Sequence, residues 1–474
     1  MAIMANWGKG AGLVGLCATM LGAQAEVFKD GERAAFFGDS VTHHGYWVKP
    51  LQDFYYTRFP KRDIHIWNCG VGGETSTEAT RRVEADIAWR KPTFVNVCFG
   101  MNDVGVVGYQ TNAPSWALDQ RRNAPSRFEA GMRKLHALLQ EKAPGARICW
   151  CTLVPWDDEL QFKPPRGPIT GVTEGERPLS DFVTSFRKEV GGDYVDFYGP
   201  MLAYNRKLHK TDPYSSLSPD TIHPKEPGGL FMLRLFLAAQ GADGVVSEVV
   251  VDAAAGKATQ MANADVTGIA KTSGGGVAFR VSEKSLPFPV DPAARAMADE
   301  IGFDNAFNRE LLRVTGLAAG DWILRIDGRD VMTNSAAAWA KGVNLATVEA
   351  TPMMAQARTV AAKNAEKMAK EKEIRSLWVA RCVAWRRMFW DAKFTDADFA
   401  DDRFPLVYAS AYLAACAKCG KKGLSDQKMY EKFKQDWSSV RAREAEIEKL
   451  HRAVRGLCVP QSHGFELVAV SPGA

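Results

Sequence analysis

The sequence predicts an α/β protein: a parallel sheet flanked by helices on both faces, then a small β domain, then a helical region. Three observations carry this. From Ala34 to about Gly241, apolar strand-like runs alternate with helical periodicities. From Gly244 apolar and polar residues alternate as in half-buried strands, and beyond Gln356 apolar residues recur at helical spacing.

In the first part, Ala34-Ala35-Phe36-Phe37 ends at Gly38, Ile64 to Trp67 ends at Asn68, and Phe94 to Phe99 ends at Gly100. Ile148 to Val154 then ends at Pro155, and Tyr194 to Phe197 at Tyr198. Between them Trp47, Leu51, Phe54 and Tyr55, and later Phe128, Met132, Leu135 and Leu139, mark helices. Strand, helix and strand in series make a three-layer α/β/α arrangement with a parallel sheet. Ligands of such sheets bind at the carboxyl ends of the strands, where the polar and Gly-rich segments of this chain stand. Gly70-Val71-Gly72-Gly73 lacks the Lys-Ser/Thr of a phosphate loop.

In the second part, Leu312 and Val314, then Trp322, Leu324 and Ile326, alternate with polar residues, and Asp327-Gly328 is a two-residue hairpin signal. These place a small antiparallel, β-sandwich-like domain over 244–355. The helical C-terminal region takes 356–474. There Ile374, Leu377, Trp378, Arg381, Trp385, Met388 and Phe389 trace one face of a long helix, its tryptophans expected in the core. Val440 to Val454 forms a second helix.

A length of 474 residues leaves room for about three domains, and 46% hydrophobic with 24% charged residues is a globular composition. The net charge of +5 is too weak for a surface that wraps a polyanion, so nucleic acid is not an expected partner. Gln356 to Pro460 holds 22 basic and 14 acidic residues, leaving the remainder near −3. Without runs of five like charges, this stretch reads as a solvated helical surface. Residues 1–25 read as a signal peptide: Lys9, an apolar stretch from Ala11 to Gly22, and Ala23-Gln24-Ala25 as cleavage site. That stretch is too short to span a bilayer of about 30 Å. Export to the periplasm or the exterior is expected, with no membrane segment in the mature chain. Beyond Cys17 eight cysteines remain, an even number that an oxidising compartment can pair. Cys416-x-x-Cys419 lacks the second pair of a zinc ribbon and reads as a disulfide or two thiols. Cys149 and Cys151 share one face of a strand as small buried side chains.

Gly38-Asp39-Ser40 closes the first strand, Gly38 permitting the tight turn that brings the Ser40 hydroxyl to the sheet's carboxyl edge. The second strand end supplies Asn68 to Thr75, including Gly72-Gly73, and the third supplies Gly100-Met101-Asn102-Asp103. Asp220-Thr221-Ile222-His223-Pro224 stands far down the chain. Acyl transfer needs these residue types. A serine nucleophile needs a base, His223, and the base needs an acceptor on its other nitrogen, which Asp220 reaches within one turn. The tetrahedral oxyanion needs donors, provided by the Gly73 N–H and the Asn102 amide. No cofactor and no metal are called for: the adjacent side chains of His43-His44 point apart, and Asp157-Asp158-Glu159 reads as a solvated loop. Asp39 and Asp103 are expected as acceptors that stabilise turns.

In this order the blocks resemble those of the SGNH, or GDSL-like, hydrolase superfamily, over about Ala34 to Ala242. The resemblance implies a flavodoxin-like hydrolase domain over 26–243, with Ser40 as nucleophile and first oxyanion donor. It implies Gly73 and Asn102 as the other donors, and Asp220 and His223 as the rest of the triad. Gly72 is the alternative to Gly73, the double glycine blurring the match, and Val41 stands where the family usually has Leu. Gly342-Val343-Asn344-Leu345 is similar to a segment that recurs in exported bacterial members. Substrate choice is expected in Val104 to Pro125, with Tyr109 and Trp116, and in Trp156 to Pro178. These loops are polar and show no contiguous apolar lid. With export, that favours a short acyl ester on a hydrophilic carrier, an O-acetyl group of a glycan. The alternatives are a lipolytic or general carboxylesterase, and a non-catalytic glycan-binding protein on the same scaffold. Residues beyond about Gly244 are expected to add stability or carrier binding, because every group the reaction needs has appeared by His223. The sequence leaves the oligomeric state open.

Overall fold

The computed structural model describes residues 27–164, 169–272, 274–389 and 420–470. The signal-peptide reading of 1–25 and the Cys416-x-x-Cys419 pair lie outside these residues. Strands β1 (Arg33–Gly38), β2 (His65–Gly70), β3 (Phe94–Cys98), β4 (Arg147–Cys151) and β5 (Asp193–Val195) form a parallel sheet ordered β2-β1-β3-β4-β5. Along β1 the side chains alternate between two cores, as a strand buried on both faces requires. Ala34 and Phe36 join Leu51 and Phe54 of helix α2 (Val48–Arg58) and Leu233 and Phe236 of α5 (Glu226–Ala239). Ala35 and Phe37 join Phe128 and Met132 of α3 (Ala124–Lys142) and Leu179 and Val183 of α4 (Val172–Val190). The predicted α/β class holds. In register, Gly38 lies beside Gly70 and Cys98, so β1, β2 and β3 end together and their following loops share one edge.

The β unit departs from its predicted extent and pairing. One sheet, ordered β13-β10-β6-β7, contains β6 (Val245–Asp252), β7 (Lys257–Ala262), β10 (Arg309–Thr315) and β13 (Val343–Asn344), with β6 and β10 parallel rather than antiparallel. The other, ordered β12-β11-β14-β9-β8, is antiparallel: β8 (Ala264–Lys271), β9 (Val277–Glu283), β11 (Asp321–Ile326), β12 (Arg329–Ser335) and β14 (Ser462–Ala469). The middle strand β14 comes from the region assigned to helices. Its Phe465 and Leu467 fill the core with Phe279 and Leu324, so this sheet is incomplete without the last residues described. The boundary at 243 is also crossed, since Phe288, Phe303 and Phe307 are buried with Phe54 in the core on the α2 and α5 side of the parallel sheet. The hairpin signal is met: Asp327 and Gly328 have φ of +51° and +78°, the left-handed pair a tight hairpin between β11 and β12 needs. Asn344 of the Gly-Val-Asn-Leu segment is a structural clip, accepting from the Glu310 N–H at 2.8 Å and donating to the Asn308 carbonyl at 3.0 Å.

The long helix is α6 (Pro352–Phe389), followed by α7 (Gly420–Asp436) and α8 (Val440–Leu457). Trp378 and Trp385 are buried with Ile374 and Leu377, and Val71, from the loop after β2, completes that cluster. The reading of this region as a solvated surface is corrected: Lys367, Arg375, Arg381 and Glu444 are buried. Arg375 pairs with Asp86 and Glu444 with Arg90 on other elements, which counting charges along one helix does not reveal, whereas Lys367 pairs with Glu371 of its own helix. Cys69, Cys98, Cys149, Cys151, Cys382 and Cys458 are buried free thiols. Among the described residues no helix is long and apolar enough to cross a membrane.

Candidate active site

Gly38 ends β1 in space that only glycine fills: a Cβ there would stand 2.4 Å from Thr42 Oγ1 and 2.8 Å from the Cys98 carbonyl oxygen. Asp39 Oδ1 then accepts from the Val41 N–H at 3.0 Å and starts the short helix α1 (Ser40–His43), as the turn-acceptor reading expects. Burial pushes the Asp39 carboxyl up to about 7.

The Asp220 loop brings its histidine to that serine. Asp220 Oδ1 accepts from the backbone N–H of Ile222 at 3.1 Å and of His223 at 2.7 Å, folding the segment into a tight turn with Thr221 at φ +81°. His223 Nδ1 lies 2.8 Å from Asp220 Oδ2, and His223 Nε2 lies 2.8 Å from Ser40 Oγ. Partial burial works against the charge of Asp220, but the hydrogen bonds from His223 and Ile222 outweigh it and hold the carboxyl below its ordinary range. His44 packs on His223 with ring centroids 4.6 Å apart. Burial, with His223 and nearby lysines, lowers His44 to about 4, while burial above all lowers His43 to about 3.

The loop after β2 supplies the glycines. The Gly72 N–H donates to His43 Nδ1 at 3.3 Å, whereas the Gly73 N–H, at φ +76°, meets no acceptor among the described residues. Asn102 Nδ2 donates to the Glu74 carbonyl at 3.0 Å, which sets the Asn102 amide against this loop. Asp103 accepts from the Ser76 N–H at 3.1 Å and the Ser76 hydroxyl at 2.6 Å, and burial raises it to about 6. All five predicted site residues, Ser40, Gly73, Asn102, Asp220 and His223, therefore stand on loops at the carboxyl edge of the sheet or are hydrogen-bonded to residues there.

Sequence reasoning missed the ionic framework behind this edge. Arg82 is fully buried and reaches Glu74 Oε2 at 2.6 Å, Asp86 Oδ2 at 2.5 Å and the Cys69 carbonyl at 2.8 Å. Asp86 also receives Arg375 of α6 at 2.6 Å and Arg90 at 2.7 Å, and Arg90 pairs with Glu444 of α8. Burial opposes the Asp86 charge, but Arg375, Arg90 and Arg82 outweigh it and keep the carboxyl well below its usual range. Arg386, farther along α6, donates to the Gly73 carbonyl at 2.8 Å and to Glu78 at 2.7 Å. Residues beyond Gly244, expected to add stability or carrier binding, thus reach the loop that carries Gly73 and the buried ion pairs behind it.

Asp157 is corrected from solvated loop to buried acceptor, taking the Ser216 hydroxyl at 2.6 Å, and Asp158 accepts from the Gly171 and Thr173 N–H groups. A cavity of about 510 Å³ opens beside His43 and His44, walled by Tyr46, Phe288, Met368 and Lys372. A second depression of about 500 Å³, lined by Leu160 to Lys163, Tyr214 and Pro219, adjoins the Asp220 turn. Of the two loops expected to select substrate, only Trp156 to Pro178 contributes to either.

The pattern of the GDSL-like Lipase/Acylhydrolase family matches residues 36–229. An acetylxylan esterase of Geobacillus stearothermophilus is 26% identical over 239 residues, 46% of this chain and 97% of that protein. The solved structure of BT4096, a gut microbial diltiazem-metabolizing enzyme, superposes with a TM-score of 0.82 at 26% identity, covering 94% of this chain and 99% of that one. That likeness takes in the β unit and the helices as well as the parallel sheet. Residues 36–229 are a GDSL-like lipase/acylhydrolase domain, and the chain that carries it is a carboxylic ester hydrolase.

Proposed function

We propose that this chain is an exported serine esterase that removes short acyl groups, above all O-acetyl groups on a carbohydrate. The observation that carries the mechanism is the unbroken chain Ser40 Oγ–His223 Nε2 and His223 Nδ1–Asp220 Oδ2, each step 2.8 Å. The Ser40 hydroxyl donates to neutral His223, whose Nδ1–H donates to Asp220. As Ser40 Oγ attacks the ester carbonyl carbon, its proton passes to His223 Nε2 and Asp220 stabilises the imidazolium. The carbonyl oxygen becomes an oxyanion that accepts from the N–H groups of Ser40 and Gly73 and from Asn102 Nδ2. Gly73 is preferred to Gly72 because the Gly72 N–H is already engaged by His43. His223 returns the proton to the departing alcohol, leaving an acyl-serine. It then deprotonates a water, whose attack releases the acid and restores the serine.

The carbohydrate ester is supported by the acetylxylan esterase relative and by the polar composition of the loops expected to select substrate. A second reading, a small organic ester, is favoured by the likeness to the diltiazem-metabolizing enzyme across nearly the whole chain. Acetate release from acetylated polysaccharides, measured beside hydrolysis of small aryl acetates and of long-chain esters, separates the two from a lipolytic enzyme. Ser40→Ala is expected to abolish hydrolysis of every active substrate, by on the order of 10⁴-fold or more, with the fold retained. Activity within about tenfold of the parent in a folded Ser40→Ala protein rules the mechanism out.

A further inference from the structure

We propose that Arg386, 313 positions along the chain from Gly73, is a positioning residue that holds the Gly73 N–H as an oxyanion donor. This rests on the reading of Gly73 given above. The turn Val71–Glu74 closes with the Glu74 N–H donating to the Val71 carbonyl at 3.4 Å, and both of its central residues are glycine. Gly73 at φ +76° has the conformation that the third residue of a type II turn requires. The peptide between Gly72 and Gly73 carries the donor N–H, and a flip of that peptide toward a type I turn reverses the N–H. Two glycines offer the least steric resistance to such a flip. This turn does not fix its own donor by backbone preference.

What fixes it arrives from α6. Arg386 Nη2 donates to the Gly73 carbonyl at 2.8 Å, and its guanidinium grips Glu78 through Nε at 2.7 Å and Nη2 at 2.9 Å. Nη1 stands 3.4 Å from where a Gly73 Cβ would be, and Val379 Cγ2 stands 3.9 Å from the same point on Gly72. One residue earlier, Val71 is fully buried among Ile374, Leu377 and Trp378. The anchored Gly73–Glu74 peptide leads into the Glu74 carbonyl that receives Asn102 Nδ2. One guanidinium from the helical region therefore braces the segment that presents two of the three oxyanion donors.

The test uses the full chain and a small soluble ester. Arg386→Met keeps the aliphatic packing and removes the donors; it should lower kcat about 10- to 100-fold with KM within about twofold, part of what deleting a donor does. Arg386→Lys, a single-point donor with the charge retained, should recover part but not all of kcat. Affinity for an alkyl boronic acid, which forms a tetrahedral adduct, should fall in parallel with kcat. Lys363→Ala, an exposed pair with Glu366 on the same helix, should change none of these. Parent kcat in an Arg386→Met protein folded by near-UV circular dichroism overturns the inference. So does a rise in KM at constant kcat, which makes Arg386 a substrate-binding residue. If Arg386→Met does not fold, Arg386→Lys decides, and undiminished kcat with undiminished boronic-acid affinity overturns the inference. Retained activity in Ser40→Ala would sink the functional reading itself, whereas an inactive Ser40→Ala beside a fully active Arg386→Met removes this inference alone.

Discussion

Two loops come within contact of Ser40 and are held by different means. The Asp220 turn is nearly self-sufficient: its own carboxylate accepts from the N–H groups two and three residues later and then from the His223 ring. The Val71–Thr75 loop owes its shape to residues outside itself, with Arg82 on Glu74 and Cys69, Arg386 on Gly73 and α6 packed over Val71. A proton relay needs two side chains at hydrogen-bonding distance, which a short turn provides. An oxyanion hole needs backbone N–H groups aimed at a point, and a glycine pair aims only as well as its surroundings constrain it. The first kind of construction is carried by a motif, the second by a fold.

The harshest way to break this comparison is to remove the outside support. A chain ending at Ala242 lacks Arg375 and Glu444, leaving Asp86 and Arg90 short of partners, and it uncovers Val71 and the aromatic face that Phe288 and Phe303 cover. Removing one partner of a buried pair costs about 3–5 kcal/mol. The expected outcome is an aggregating chain, or a soluble one whose kcat on a small ester is down by on the order of 10²-fold or more. Near-UV circular dichroism and kcat together check it. A well-folded truncation with parent kcat would mean that the oxyanion loop, like the Asp220 turn, holds itself.

Beside the proposed oxyanion loop, Asn102→Ala should lower kcat by roughly 10²–10³, about 2.7–4 kcal/mol, with KM little changed, because the other proposed donors remain. It also frees the Glu74 carbonyl that Asn102 holds. Combined with Arg386→Met, the effects should be less than additive, since both act on the same turn. Full additivity would separate the two residues.

On the relay side the expectation concerns slope rather than size. With His223 as the proposed base, only its neutral form accepts the serine proton, so kcat/KM is expected to fall as pH drops. Asp220 stays ionised throughout, held below its ordinary range by its hydrogen bonds, and His44 and His43, lowered by burial to about 4 and about 3, stay neutral until well into acid. The acid limb of log kcat/KM against pH should therefore have a slope of about one. A slope near two would bring Asp39 or Asp103, raised by burial to about 7 and about 6, into the catalytic ionisation.

The same contrast governs what the sequence discloses. The strands of the parallel sheet, the Asp327-Gly328 hairpin and the Asp220–His223 spacing are local patterns, written within a few residues and readable there. Strand β14 is also a local alternation, but its place between β9 and β11 depends on partners some 140 and 180 positions away, which no periodicity records. Charges mislead in the same way. Arg375 sits on a helix rich in lysine and glutamate, where a cation normally faces water. Its burial becomes intelligible only once Asp86, 289 positions away, is opposite it. Asp157, read as a solvated loop residue, is likewise explained by Ser216 rather than by its neighbours in sequence.

The smallest expected effect concerns Asp39, the residue that joins the two halves: it starts the helix bearing Ser40 and feels the charges of Asp103 and Glu74 on the oxyanion side. Burial raises its carboxyl from 3.8 to about 7, despite the hydrogen bond from the Val41 N–H. The folded protein therefore binds this proton more tightly than the unfolded chain does. By linkage, the stability it contributes is fully present below the unfolded value, is lost as pH rises toward the folded one, and changes no further above it. Asp39→Asn keeps an oxygen to accept from Val41 and has no proton to lose. Its stability relative to the parent should rise between pH 5 and pH 8 by at least about 1.4 kcal/mol, the worth of one pKa unit, read from urea midpoints at the two pH values. A difference independent of pH would mean that Asp39 is ionised in the folded protein and that the Ser40 turn rests on a charged cap, not a protonated one.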